Sequence, residues 1–313
     1  MWLSHYQPCP PEEQFGAVAT VLDCAMSRAL RYSAAACPMR QPRDLPGMTV
    51  ESNSSNWFVI PVRNPTASVR LFCLPYAGGT ASVYTGWSRD LPSSVELVAV
   101  QPPGRANRMF EPAHTTMSAA VADLYRAMRT LIDKPYVLLG HSLGSRIAFE
   151  LAREFRRRGQ RLPVHFITSG SRAPHLRARD RIIHRLPREA FMAELRDFNG
   201  TPPSVLENEE LMDLYLPLLR ADFQLAETYS PDEEPPLDCP VSIFSGDRDK
   251  DIDESDLVAW RRHFVSGGEI TLFPEDHFFI DKLRQPVLAR VNHLLRRVIA
   301  EIAAPGTRMR TTA

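Results

Sequence analysis

Residues 140–144 read Gly-His-Ser-Leu-Gly. They follow the apolar run 136–139 and open a stretch in which Leu143, Ile147, Leu151 and Phe155 recur every fourth residue. A strand that turns into a helix this tightly needs small residues two before and two after the serine, because backbone segments approach closely there. The pattern predicts Ser142 as a nucleophile standing at the carboxyl end of a strand. The free N–H groups and positive end of the following helix lie behind it, where negative charge develops during acyl transfer.

A serine hydroxyl is a weak nucleophile until a base takes its proton, so a histidine and an orienting acid are needed. On a strand–turn–helix serine these follow in chain order, acid first and histidine second. The apolar run 241–245 ends in Gly246-Asp247-Arg248-Asp249, which offers two acids. The run Glu269–Phe273 ends in Pro274-Glu275-Asp276-His277, which offers one histidine on a loop. His165, His175 and His184 precede the acids, His263 and His293 fall inside helical patterns, and His141 comes too early. His277 is the expected base. Asp249, third after the glycine, is favoured as its partner, with Asp247 expected to cap the turn through backbone N–H groups. Asp247 stays open as the alternative. The expected chemistry is attack by Ser142, proton transfer through His277, orientation by the acid, and hydrolysis of an acyl-enzyme. It calls for no metal and no cofactor.

Elements able to hold these residues are legible around them. Strand-length apolar runs at 69–74, 95–100, 136–139, 165–169, 241–245 and 269–273 alternate with helical patterns at 117–132, 143–158, 254–264 and 286–302. That alternation predicts an α/β fold, a mostly parallel central sheet with helices on both faces. Between Pro174 and Pro236 no strand is evident. Amphipathic stretches at 188–198 and 214–229, punctuated by Pro187, Pro202, Pro203 and Pro217, predict a helical insertion able to act as a lid.

The chain has 313 residues, of which 44% are hydrophobic and 24% charged, with 37 Lys+Arg against 37 Asp+Glu. Balanced charge gives no reason to expect nucleic acid or a membrane surface as partner. No apolar run approaches the roughly 20 residues of a membrane span. Five cysteines without a CxxC pair indicate neither a disulfide framework nor a zinc site, and fit a reducing cytoplasm. A soluble monomer is expected, with its catalytic domain over residues 48–303 and the insertion at about 174–236. Residues 1–47 read as a disordered tail, or as sequence upstream of a start at Met48, and 304–313 as a short C-terminal tail.

Several segments resemble one family. Phe72-Cys73-Leu74-Pro75-Tyr76-Ala77-Gly78-Gly79 is similar to the first strand and oxyanion loop of type II thioesterases of nonribosomal peptide and polyketide synthesis, within the α/β-hydrolase superfamily. Pro103-Gly104-Arg105, Gly140–Gly144, Ser169-Gly170-Ser171-Arg172-Ala173-Pro174 and His277-Phe278-Phe279 resemble further motifs of that family. Gly200-Thr201-Pro202 and residues 216–223 resemble its lid. The likeness covers roughly residues 57–300. It implies Ser142, Asp249 and His277 as a triad, and the backbone N–H groups of Ala77 and Leu143 as the oxyanion hole. It also implies a stand-alone editing enzyme that removes acyl groups from the phosphopantetheine arm of carrier proteins. Tyr76 departs from the family's usual His or Phe, which is expected to touch only a loop side chain. Two other functions share the motifs: an ester hydrolase on the same fold, and a non-catalytic carrier-binding module. Arg153, Arg156, Arg157, Arg158 and Arg161 form a basic run at a helix end. It reads either as a solvated terminus or, with Arg172, Arg177, Arg179 and Arg181, as a dock for an acidic carrier domain.

Overall fold

Runs rich in Val, Leu and Phe with few polar positions must be covered on both faces, and the strands over 69–74, 95–100, 136–141 and 241–246 are buried at every position. The computed structural model describes residues 54–176 and 182–304. The expectations for residues 1–47, Met48, Arg177, Arg179, Arg181 and the stretch after Ala304 lie outside the described residues.

The strands are β1 (Phe58–Val59), β2 (Val69–Leu74), β3 (Val95–Val100), β4 (Tyr136–His141), β5 (His165–Ser169), β6 (Val241–Gly246) and β7 (Glu269–Phe273). They form one sheet in the order β1-β3-β2-β4-β5-β6-β7. Every neighbouring pair is parallel except β1 with β3. Strand β1 was not foreseen. Two residues carry no periodicity, and only the pairing of Phe58 with Val100 and of Val59 with Ala99 makes them a strand.

The helices are α1 (Ser82–Thr85), α2 (Met117–Met128), α3 (Leu143–Arg157), α4 (Arg188–Phe198), α5 (Pro203–Leu206), α6 (Glu209–Thr228), α7 (Glu254–Val258), α8 (Phe279–Lys282) and α9 (Arg284–Ala303). Alternate strand residues serve the two faces. Phe72, Leu74, Val98 and Leu138 pack with Leu124, Leu151 and Phe155 of α2 and α3. Leu71, Cys73, Leu97 and Val137 pack with Tyr84 of α1 and with Val287, Val291 and Leu295 of α9. The pattern foreseen at 254–264 divides into α7 and a 3-10 turn over Ala259–His263, where Trp260 is fully buried.

Helices α4, α5 and α6 lie between β5 and β6 and share a small core of their own, with Phe191, Leu195, Leu206, Met212, Leu216 and Leu219 buried. Pro217, inside the amphipathic stretch foreseen at 214–229, lies within α6, which begins five residues earlier at Glu209. A mid-helix proline costs a free helix about 3 kcal/mol. Burial of Leu216, Leu218 and Leu219 around it offsets that cost. Among the described residues, no helix is long and apolar enough to cross a membrane.

Candidate active site

The β4–α3 turn holds Ser142 at φ 54° and ψ −117°, a strained conformation for a residue with a side chain. Its flanks explain how the strain is maintained. A Cβ on Gly140 would lie 2.3 Å from the Gly144 carbonyl oxygen, and one on Gly144 would lie 2.3 Å from that of Leu74. Only hydrogen fits at either place. The Ser142 N–H donates to the Ser169 carbonyl at 2.8 Å. The buried Ser145 hydroxyl donates to the Gly140 carbonyl at 2.6 Å and accepts the Ser169 N–H at 3.1 Å, tying the turn to β5.

Of the two candidate acids, the structure brings Asp249 to His277. The imidazole Nδ1–H donates to Asp249 Oδ2 at 2.6 Å, and Asp249 Oδ1 accepts the Asp251 N–H at 3.0 Å. The Asp249 side chain is 1% exposed, whereas that of Asp247 is 46% exposed and turns outward beside Arg248. The turn-capping part expected of Asp247 therefore falls to Asp249. Among the described residues, no backbone N–H donates to the Asp247 carboxylate; its own N–H bonds the Phe273 carbonyl at 2.9 Å. With the Arg248 N–H to Glu275 carbonyl bond, 3.1 Å, this joins the two loops that carry Asp249 and His277.

Ser142 and His277 line one cavity of about 210 Å³ beneath the inserted helices. They are not hydrogen-bonded to each other, and such bonds are often long before substrate binds. Ala77 and Leu143 line the same cavity. Among the described residues, neither of their N–H groups is used in a hydrogen bond. Two unspent donors beside a nucleophile are what a developing oxyanion needs. Leu195, Phe198, Leu219, Phe223 and Phe278 supply an apolar side, and Arg146 and Arg172 a cationic one.

Three supports went unseen in the sequence. His141, fully buried, lies under the His277 loop. Its Nε2 is 3.0 Å from the His277 carbonyl, which can only accept, so Nε2 carries the proton and Nδ1 accepts from Ser169 Oγ at 2.8 Å. Burial, and then the neighbouring His277, hold its pKa well below the usual histidine value, so it stays neutral. Tyr76 does more than touch a loop. Its hydroxyl donates to Asp281 of α8 at 2.8 Å and its ring meets Phe278 edge-on. Burial, with Asp281 beside it, pushes the phenol well above its ordinary pKa.

The third support is an ion pair. Arg105 grips Asp222 of α6 through two bonds of 2.7 and 2.8 Å, with the side chains 3% and 5% exposed. Asp222 Oδ2 also accepts the Gly78 N–H at 2.7 Å. The inserted helix is thereby bonded to the loop that carries Ala77.

The basic run at the end of α3 is largely ion-paired, with the Arg157 and Arg158 side chains 39% and 56% exposed. Arg153, Arg156 and Arg157 converge on Glu234 at 2.8, 2.6 and 2.7 Å, Arg153 also meets Glu150, and Arg158 meets Glu154. Arg172 pairs with Asp256 at 2.9 Å. These cations are already matched.

A seven-stranded, mostly parallel sheet with a strained serine on the turn after β4, and an Asp–His pair on the loops after β6 and β7, defines an α/β-hydrolase. Compared with known proteins, residues 69–299 match the thioesterase domain family. The chain is 38% identical over 253 residues to the gramicidin S biosynthesis protein GrsT of Aneurinibacillus migulanus, covering 81% of this chain and 99% of that protein. ClbQ from the colibactin NRPS/PKS pathway superposes with a TM-score of 0.72 at 35% identity, over 75% of this chain and 99% of its own. The type II thioesterase BorB from the borrelidin biosynthetic cluster gives 0.70 at 33% identity, over 76% and 97%. The chain belongs to the thioesterase family and is an enzyme that hydrolyses thioesters.

Proposed function

We propose that this thioesterase is a stand-alone, type II enzyme of nonribosomal peptide or polyketide biosynthesis, clearing stalled or wrongly primed acyl groups from the phosphopantetheine arm of carrier proteins. The observation that carries the reaction is the cavity that gathers Ser142, the His277–Asp249 pair and the unspent N–H groups of Ala77 and Leu143. Similarity to GrsT along nearly its whole length, and to ClbQ and BorB, supports the biosynthetic setting.

His277 Nε2 takes the Ser142 proton as Oγ attacks the thioester carbonyl. The Ala77 and Leu143 N–H groups hold the oxyanion, and Asp249 holds the imidazole in the required tautomer. Collapse breaks the C–S bond, and His277 gives its proton to the departing thiol. Water, deprotonated by His277, then attacks the acyl-enzyme, and collapse returns the proton to Ser142 and frees the carboxylic acid. Helices α4–α6 act as a lid over this chemistry.

The test is intact-mass measurement of acyl-loaded carrier protein. The enzyme should strip the acyl group, and Ser142→Ala should lower kcat by roughly 10⁴–10⁶ while keeping the fold. A Ser142→Ala variant with a tenth of full activity would remove the serine from the mechanism. Faster turnover of matched oxygen esters than of carrier thioesters would redirect the assignment to an esterase.

A further inference from the structure

Ala77 follows β2 and His277 follows β7, and in the sheet these two strands are separated by β4, β5 and β6. The His277 segment is bonded to the loop after β6 through Asp249 and Arg248, and to the end of β4 through His141. A further bond reaches the loop after β2. Tyr76, the residue before Ala77, donates its hydroxyl at 2.8 Å to Asp281, four residues after His277. Among the described residues it is the one hydrogen bond between residues 75–80 and 274–282.

Asp281 is partly buried and, among the described residues, no cation pairs with it. Lys282, next in the chain, turns instead to Asp276 and Glu275. The Tyr76 hydroxyl is the one group among the described residues that donates to the Asp281 carboxylate. Burial pushes the Asp281 carboxyl above its ordinary pKa, and the bond from the phenol works against that rise. Two apolar side chains of similar size would pack here without a desolvation cost. What the polar pair adds is direction. A hydrogen bond to a carboxylate is short and angular, so it fixes a distance that apolar contact leaves loose. Tyr76 is 7% exposed, and its ring stands edge-on against Phe278 at 5.2 Å and against His141 at 5.7 Å. Its carbonyl accepts the Gly79 N–H at 2.9 Å, which holds the oxyanion loop in its turn. A phenol wedged in this way passes the hold on its hydroxyl to its own backbone, and so to the N–H of Ala77.

Resting on the thioesterase reading, with Ser142 as nucleophile and His277 as base, we infer that Tyr76 and Asp281 are positioning residues whose hydrogen bond sets the Ala77 N–H against the His277 imidazole. The two groups must meet at one reacting carbonyl. Ala77 serves its oxygen, while His277 serves the Ser142 proton and then the departing sulfur. An error of about 1 Å in such a placement costs roughly 100-fold in rate.

Four variants test this, each read by steady-state hydrolysis of an acetyl-pantetheine thioester, by the rate at which a fluorophosphonate labels Ser142, and by thermal melts. Tyr76→Phe keeps the ring and removes the bond, and Asp281→Leu removes the acceptor. Each should lower kcat roughly 10–100-fold with KM changed less than about threefold. Labelling should slow in proportion, because phosphonylation uses the same base and the same oxyanion donors. Asp281→Asn keeps an acceptor oxygen without the charge and should hold kcat within about threefold of wild type. The double variant Tyr76→Phe/Asp281→Leu should melt near wild type, since no polar group is stranded, yet stay as slow as the single variants, since all three lack one bond. A pair that serves stability alone gives the opposite pattern: near-wild-type kcat in the folded single variants, or recovery of kcat in the double. Either result overturns the assignment, as does an Asp281→Asn variant as slow as Asp281→Leu. Should Tyr76→Phe not fold, the contrast between Asn and Leu at position 281 carries the test. A wild type that is labelled but hydrolyses no thioester removes the thioesterase reading, and the labelling rates of the variants then judge the pair by themselves.

Discussion

Removing the Asp222 carboxylate tests the bond between α6 and the loop that carries Ala77. In Asp222→Ala three N–H groups lose their acceptor: two on Arg105 and the backbone N–H of Gly78. Arg105 is then an unpaired cation in a site where it was 3% exposed. Breaking a buried ion pair by deleting one partner costs about 3–5 kcal/mol. At about 2–4 °C per kcal/mol for a domain of this size, the melting temperature should fall by roughly 6–20 °C. The double variant Arg105→Met/Asp222→Leu separates stability from catalysis. Replacing both charges with apolar side chains is often neutral for stability, so most of the lost melting temperature should return. The Gly78 N–H still lacks its acceptor, so the loop presenting Ala77 stays loose and kcat should remain roughly 10-fold or more below wild type, with KM changed less. Differential scanning calorimetry and steady-state thioester hydrolysis read the two effects. A drop of less than about 2 °C in Asp222→Ala would refute the ion-pair argument. Full recovery of kcat in the double variant would show that Asp222 does not position the loop.

Asp249→Asn should fold normally yet lose roughly 10⁴ in kcat, because the amide favours the wrong imidazole tautomer. Asp247→Asn, on an exposed side chain, should keep near-wild-type activity and lose less than about 0.5 kcal/mol; the reverse pattern in a paired kinetic assay would exchange their roles. Stability should fall on acidification in two stages, read by thermal melts across pH. His165 and His263 are held near pKa 4 by burial, so from about pH 6.5 downward the unfolded chain binds protons that the native state does not, and stability drops until pH 4. Glu234, raised by burial but brought to about 2 by Arg153, Arg156 and Arg157, contributes stability above its unfolded value of 4.5 that is lost as pH falls toward 2. Glu234→Gln should flatten that lower stage, and an unchanged slope below pH 4.5 would count against the cluster.

The parts legible in the sequence are those set by local sterics and short periods. Gly140 and Gly144 flank Ser142 because no Cβ fits beside the turn, a constraint written within five residues. Strands such as Val69–Leu74 and Val95–Val100 show in runs that are apolar at five of six positions, and α3 in its four-residue repeat. Chain order then narrows the base to His277. Asp247 and Asp249 could not be separated that way, since both sit on one turn and spacing does not reveal which carboxylate is buried. The close approach of the loop after β7 decides it, leaving one side chain 1% exposed and the other 46%. Distance along the chain hid the remainder. Arg105 and Asp222 are 117 residues apart and Tyr76 and Asp281 are 205 apart. Glu234, which neutralises what reads locally as a basic patch, lies 77 residues from Arg157. Charge and hydrogen-bonding capacity can be read from a side chain's type, but its partner depends on which surfaces the packed sheet and helices bring together.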